Sequence, residues 1–206
     1  MRVRRSQATT GSGNRADHVE RVVAVEPHDD LAAVLAERVR ALGNVQVLRQ
    51  RVEHLTPELI GGLVDSAVLF NVLEHIEDDR RALRGIAECL RPGGSLLLLS
   101  PAQPFLFGGI DRAVHHERRY RIPALGRLLR ESGFEAETIR YVNPLGALGW
   151  LISSRLLGVR DIPRGSLRIY ESLVPALKIL DQARLPFGLS VWVRAVRVAQ
   201  SPRNAV

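Results

Sequence analysis

The chain has 206 residues, 46% of them hydrophobic, and one cysteine, Cys89. That suits a single α/β domain with a substantial core; it excludes a disulfide framework within the chain and fits a reducing compartment. The net charge of +7 is weaker support for nucleic acid than its size implies, because Lys178 is the only lysine among 29 basic residues. An arginine skew of that kind fits GC-rich codon usage, and the arginines are scattered among acids rather than striped along one face. Nucleic acid is therefore an unfavoured partner. The start, Met1-Arg-Val-Arg-Arg-Ser, lacks the apolar core of a signal peptide, and no run approaches a membrane span, so the expected location is cytoplasmic.

Residues 1–14 read poorly as a buried strand, with arginines at 4 and 5 and only Gly11 and Gly13 to suggest a glycine turn. Val22 to Val25 is a clean buried strand ended by Glu26. Asp29 and Asp30 open a helix over Leu31 to Leu42, and Gly43-Asn44 closes it. Val45 to Leu48 is the next strand, followed by Gln50, Arg51, Val52 and Glu53 in a turn. After Thr56-Pro-Glu a short helix is expected up to Gly61-Gly62.

Ser66 to Phe70 is a short apolar run that stops at Asn71, and a helix is expected from Glu77 to Leu90. In open α/β sheets ligands bind where strand C-termini meet helix N-termini, which places Asn71, Glu74 and His75 on a crevice rim. The bland alternative is a strand–turn–helix joint whose polar residues only cap the helix. Leu90-Arg-Pro-Gly-Gly-Ser is a helix end and a tight turn, with Ser95 to Ser100 as strand five.

This order and spacing, carried by Val-Val-Ala-Val-Glu, Asn-Val-Leu-Glu-His and Leu-Arg-Pro-Gly-Gly, resembles class I S-adenosylmethionine-dependent methyltransferases over roughly residues 22–198. The resemblance implies a Rossmann-like α/β sheet, mostly parallel with the last strand antiparallel, flanked by helices. It implies S-adenosylmethionine as cofactor, with Glu26 accepting from the ribose hydroxyls and Asn71 and Leu73 beside the methionine part. Gly11 and Gly13 stand where the family has its glycine turn, and that turn is degraded. Arg51 occupies the position where relatives carry an adenine-reading acid, so Glu53 is the substitute candidate.

Pro101 to Arg121 is a loop rich in side chains capable of chemistry. Its Asp111…His116-x-Arg118-Arg119-Tyr120 pattern resembles a bacterial subgroup of these enzymes, some fused to glycosyltransferases. The resemblance puts Glu74 and His75 at the mouth, and the loop pattern makes Arg118, Arg119 and Tyr120 acceptor-binding candidates. For a hydroxyl acceptor, His116 or His75 suits the role of base, and Trp150 joins the acceptor-binding candidates from the inserted apolar helix. The competing reading is an ion-pair cluster that pins the loop. No metal site is expected, because the six histidines lack ligand spacing.

Ile122-Pro123 starts a helix to Ser132, Phe134 to Val142 is strand six, and Leu189 to Val198 is strand seven. Between the last two lies an insertion, Asn143 to Gly188, with helices at Leu145 to Leu157 and Arg168 to Ala183. The first is apolar nearly all round. It reads as a lid over the acceptor, a dimer face, a peripheral membrane contact, or a helix packed on the domain's own sheet.

The expected function is methyl transfer from S-adenosylmethionine to a small or lipid- or saccharide-linked acceptor. A non-catalytic binding protein of the same fold, favoured by the degraded opening, and a nicotinamide-dependent dehydrogenase are the alternatives.

Overall fold

The computed structural model describes residues 2–5, 19–151 and 185–198. Gly11, Gly13 and the expected helix Arg168 to Ala183 lie outside them. The described strands form one seven-stranded sheet: β1 Arg2–Arg5, β2 Val19–Val25, β3 Val45–Leu48, β4 Val64–Phe70, β5 Leu90–Pro101, β6 Phe134–Val142 and β7 Ser190–Arg197. Their spatial order is β3-β2-β1-β4-β5-β7-β6. The helices are α1 Asp29–Val39, α2 Asp79–Cys89, α3 Gly109–Ala113, α4 Ile122–Glu131 and α5 Pro144–Trp150.

Strand β5 sets the core. Its Leu96 and Leu98 are fully buried, and Leu97 and Leu99 are half-buried on the opposite face. Such a run is apolar because a central parallel strand is covered on both sides. It pairs in parallel with β4 and antiparallel with β7. Helix α2 turns Ala82, Leu83, Ile86 and Ala87 inward, and its N-cap Asp78 accepts from the Arg81 N–H at 2.9 Å. Helix α4 contributes Leu125 and Leu129 and ends at Gly133, whose φ of 88° favours glycine.

The Gly-Gly step is explained by crowding. Gly93 has φ 73°, and a Cβ on Gly94 would meet the Arg91 carbonyl oxygen at 2.8 Å. Strand pairing continues through this step, with Val64 opposite Leu90 and a bulge before Ser66 meets Ser95, so β5 starts earlier than its apolar run.

Two expectations are corrected here. Strand β1 occupies the central position but runs antiparallel to both β2 and β4. The sheet thus remains mostly parallel, with β1 joining β7 as an antiparallel strand. Arg2 lies opposite Val22 and Ser66, so β2 and β4 extend beyond the level of their recorded pairing with β1. The segment after Thr56 is a series of turns rather than a helix. Gly61 and Gly62, both at positive φ, break the helical path.

Candidate functional site

The site is built at the C-terminal ends of β4 and β5. Strand β4 ends at Asn71, whose N–H donates to the Leu99 carbonyl at 2.8 Å and whose φ is 52°. This left-handed residue turns the chain into a single helical turn, Leu73–His75. The turn buries Leu73 and Glu74 and leaves His75 exposed. Leu73 belongs to the hydrophobic core. Its side chain is committed to packing, so any contact with the cofactor's methionine part would fall to its backbone.

Glu74 is fully buried, although it was expected at the mouth. Its Oε2 accepts from the Ser100 hydroxyl at 3.1 Å, and its Oε1 has no hydrogen-bond partner among the described residues. Burial pushes its carboxyl above the usual range, while Ser100, His116 and His75 oppose that shift. Leaving a buried carboxylate oxygen unpaired costs free energy, so this orphan points to a ligand or a proton at this spot.

The loop after β5 supplies the opposite wall. Asp111 sits on α3 at 0% exposure and gathers three donors. Its Oδ2 accepts from the Gly108 N–H at 2.9 Å; its Oδ1 accepts from Arg119 Nε at 2.8 Å and lies 2.9 Å from His116 Nδ1. A carboxylate only accepts, so neutral His116 carries its proton on Nδ1 and presents a lone pair on Nε2. That Nε2 lies 4.0 Å from the orphan oxygen of Glu74. The rings of His75 and His116 meet edge to face, with centroids 4.7 Å apart.

His75 is oriented in the same way. Its Nδ1 is 3.2 Å from the His115 carbonyl, which likewise only accepts. His115 presents that carbonyl from a left-handed conformation, φ 58°, unusual for a non-glycine residue. Backbone pairing locks the two walls together, since the Glu117 N–H donates to the Glu74 carbonyl at 2.8 Å.

Three expected acceptor-binding residues serve the loop instead. Arg118 pairs with Asp79 at 3.0 Å and donates to the Glu77 carbonyl. Arg119 is buried between Asp111, the Ala102 carbonyl and the face of Trp150, 4.6 Å from its ring centre. Tyr120 is buried, and its hydroxyl donates to Asp79 at 2.9 Å and approaches the Leu73 carbonyl at 3.3 Å. Burial and Asp79 push this phenol well above its ordinary range, so it stays neutral. Trp150 donates to the Leu106 carbonyl at 3.2 Å, tying α5 to the loop after β5.

The cofactor side is less complete. Glu26 is half-buried at the end of β2, and its Oε1 accepts from the His28 N–H at 3.0 Å. A second carboxylate oxygen fits the fork of a ribose diol. Asn71, exposed at the end of β4, offers polar groups for an amino-acid end. Glu53 fits less well, because its Oε1 accepts both Arg51 Nε and Nη2. At the ribose and methionine ends, then, the donor set suits S-adenosylmethionine.

The sequence singled out Glu74, His75 and His116 one by one but missed Asp111 and Ser100 as their partners. Asp111 was visible in the loop pattern; Ser100, an ordinary strand residue, gave no signal.

Comparisons with known proteins bear on the fold. Residues 8–98 match the Methyltransf_11 family model, a methyltransferase domain. No curated protein matches the chain. Solved structures with the same fold include an S-adenosylmethionine-dependent methyltransferase from Mesorhizobium loti, at 16% identity and TM-score 0.57, covering 86% of this chain and 81% of that one. The N-methyltransferase NodS from Bradyrhizobium japonicum, in complex with S-adenosyl-L-homocysteine, aligns at 14% identity and TM-score 0.55 over 88% of this chain and 69% of that one. The [4+2]-cyclase SpnF aligns at 17% identity and TM-score 0.57 over 89% of this chain and 68% of that one. Residues 8–98 are thus similar to a methyltransferase domain, and the chain shares the fold of S-adenosylmethionine-dependent methyltransferases, a likeness that supports S-adenosylmethionine as the cofactor.

Proposed function

We propose that the chain transfers the methyl group to a hydroxyl of a small or lipid- or saccharide-linked acceptor, held against Glu74, His75 and His116. The observation that carries this reading is the Asp111–His116 pair. Asp111 fixes the tautomer in which Nε2 is a free base, beside strand ends where this fold binds its ligands. The bound cofactor supplies an electrophilic methyl on a sulfonium, so much of the acceleration can come from positioning. His116 Nε2 takes the hydroxyl proton as the oxygen attacks, and Asp111 stabilises the imidazolium that forms. Glu26 holds the ribose end and Asn71 the amino-acid end, orienting the reacting carbon.

Residues 1–206 act in this reading as one cytoplasmic domain. Helix α5, with Trp150, flanks the acceptor mouth in this reading; most of the segment 143–188, expected from the sequence as a lid, lies outside the described residues. Leu145 and Leu148 of α5 are exposed and suit contact with an acceptor's apolar part. No helix among the described residues is long and apolar enough to cross a membrane.

The test is transfer of radiolabel from S-adenosylmethionine to an extract of the source cells, separated into polar, lipid and saccharide fractions. Label in one fraction, lost in His116→Ala, supports the reading. A second reading, a binding protein without turnover, draws on the antiparallel β1, and absence of label with retained cofactor binding would favour it.

A further inference from the structure

Glu74, His75 and His116 come from a single turn after β4 and a loop some forty residues later. Each offers one ligand atom, and these atoms all lie within 4.8 Å of one another. Three features separate this cluster from an accidental grouping. Both histidines donate through Nδ1, His116 to the Asp111 carboxylate and His75 to the His115 carbonyl, leaving each Nε2 unprotonated. This arrangement of outer partners is the one that orients metal-bound imidazoles. The third group, Glu74, is fully buried with Oε1 unpartnered among the described residues, 4.0 Å from His116 Nε2. The left-handed backbone at His115 holds the carbonyl that orients His75, and such strained residues cluster at working sites.

We propose that Glu74, His75 and His116 form a three-ligand site for a divalent transition-metal ion of the zinc type, open to solvent on the side of exposed His75. Two imidazoles and one carboxylate are borderline donors suited to Zn2+ rather than to Mg2+ or Ca2+, which take oxygen shells. Metal–ligand bonds of about 2.1 Å require ligand atoms about 3.4 Å apart. The cluster therefore closes by roughly an ångström, which rotation of the exposed His75 ring can supply. Three protein ligands leave a fourth position open, and the acceptor oxygen would take it. The ion would then lower the pKa of that oxygen, in place of a histidine base, and its proton would pass to water at the open side of the site.

This inference deepens the proposed methyl transfer and rests on the same pocket, so the experiment separates the two. The full chain, without a histidine tag and stripped with EDTA, is titrated with Zn2+ by calorimetry and with Co2+ by visible absorption. The expected result is one equivalent bound, with Co2+ bands of a low-coordinate site. His75→Ala and Glu74→Gln should each weaken Zn2+ affinity at least tenfold while circular dichroism stays unchanged. His75 is exposed, so its substitution leaves the core intact. Zn2+ binding that is absent, or equally strong in both variants, overturns the site. Radiolabel transfer that persists unchanged in EDTA, without bound metal, overturns the ion's part in the reaction while leaving the methyl-transfer reading intact. One-to-one binding lost in the variants upholds the site even where no transfer is seen.

Discussion

Replacing Asp111 by alanine should be among the most destabilising single changes in this loop. The carboxylate is at 0% exposure and holds Arg119, whose side chain is only 1% exposed, at 2.8 Å. Asp111→Ala leaves a buried guanidinium whose remaining partners among the described residues are the Ala102 carbonyl and the Trp150 ring. Breaking a buried pair from one side costs about 3–5 kcal/mol, and the lost bonds to Gly108 and His116 act in the same direction. For a chain of this size that corresponds to a fall in Tm of roughly 10 °C. Urea unfolding followed by circular dichroism measures it. The double variant Asp111→Ala/Arg119→Met should recover much of the loss, because no charge is then stranded. A loss below about 1 kcal/mol in the single variant, or a double variant worse than the sum of its parts, would refute this reasoning.

Glu26→Ala should weaken S-adenosylhomocysteine binding by about 1.5–3 kcal/mol, the scale of charge-assisted hydrogen bonds, and calorimetry on both proteins decides it. Burial pushes the Cys89 thiol up to about 11, so the folded chain should resist iodoacetamide at pH 8 and react only on unfolding. The same shift has a sign in stability: the folded thiol holds its proton more tightly, so its contribution is present at neutral pH. That contribution is lost as pH rises from the ordinary thiol range towards 11, which unfolding midpoints across that range would record. Trp150→Ala removes the ring over Arg119 and the bond to Leu106, and should raise acceptor KM several-fold with little change in cofactor affinity.

Much of the scaffold was legible because its strands are short apolar runs between turn residues. Val45–Leu48 and Phe134–Val142 fall where the pattern puts them, and the Asn143-Pro144 start of α5 follows from cap chemistry, with Asn143 accepting from the Gly146 N–H. Strand β1 was harder: its arginines argued against a buried strand, and no local signal encodes whether a strand runs with or against its neighbours. The turn after Thr56 misled because Pro and Glu favour a helix start while Gly61 and Gly62 take positive φ. In the loop after β5 the pattern drew attention to His116 but not to the division of labour. Arg118 and Tyr120 find Asp79 and Leu73 across long sequence separations, Arg119 finds Asp111 eight residues back in the same loop, and those partners turn them into fasteners. Glu74, His75 and His116 converge only because the Leu73–His75 turn and the loop share backbone hydrogen bonds, a tertiary fact without a spacing signature.

The most direct test of the central claim compares wild type and His116→Ala in two assays run side by side. One is radiolabel transfer from S-adenosylmethionine to the acceptor fraction; the other is calorimetric binding of S-adenosylhomocysteine. Loss of the group that activates the acceptor should cut transfer by about 100-fold or more while cofactor affinity stays within about a factor of two. Unchanged transfer, or parallel loss of transfer and binding, would contradict a role for His116 at the acceptor.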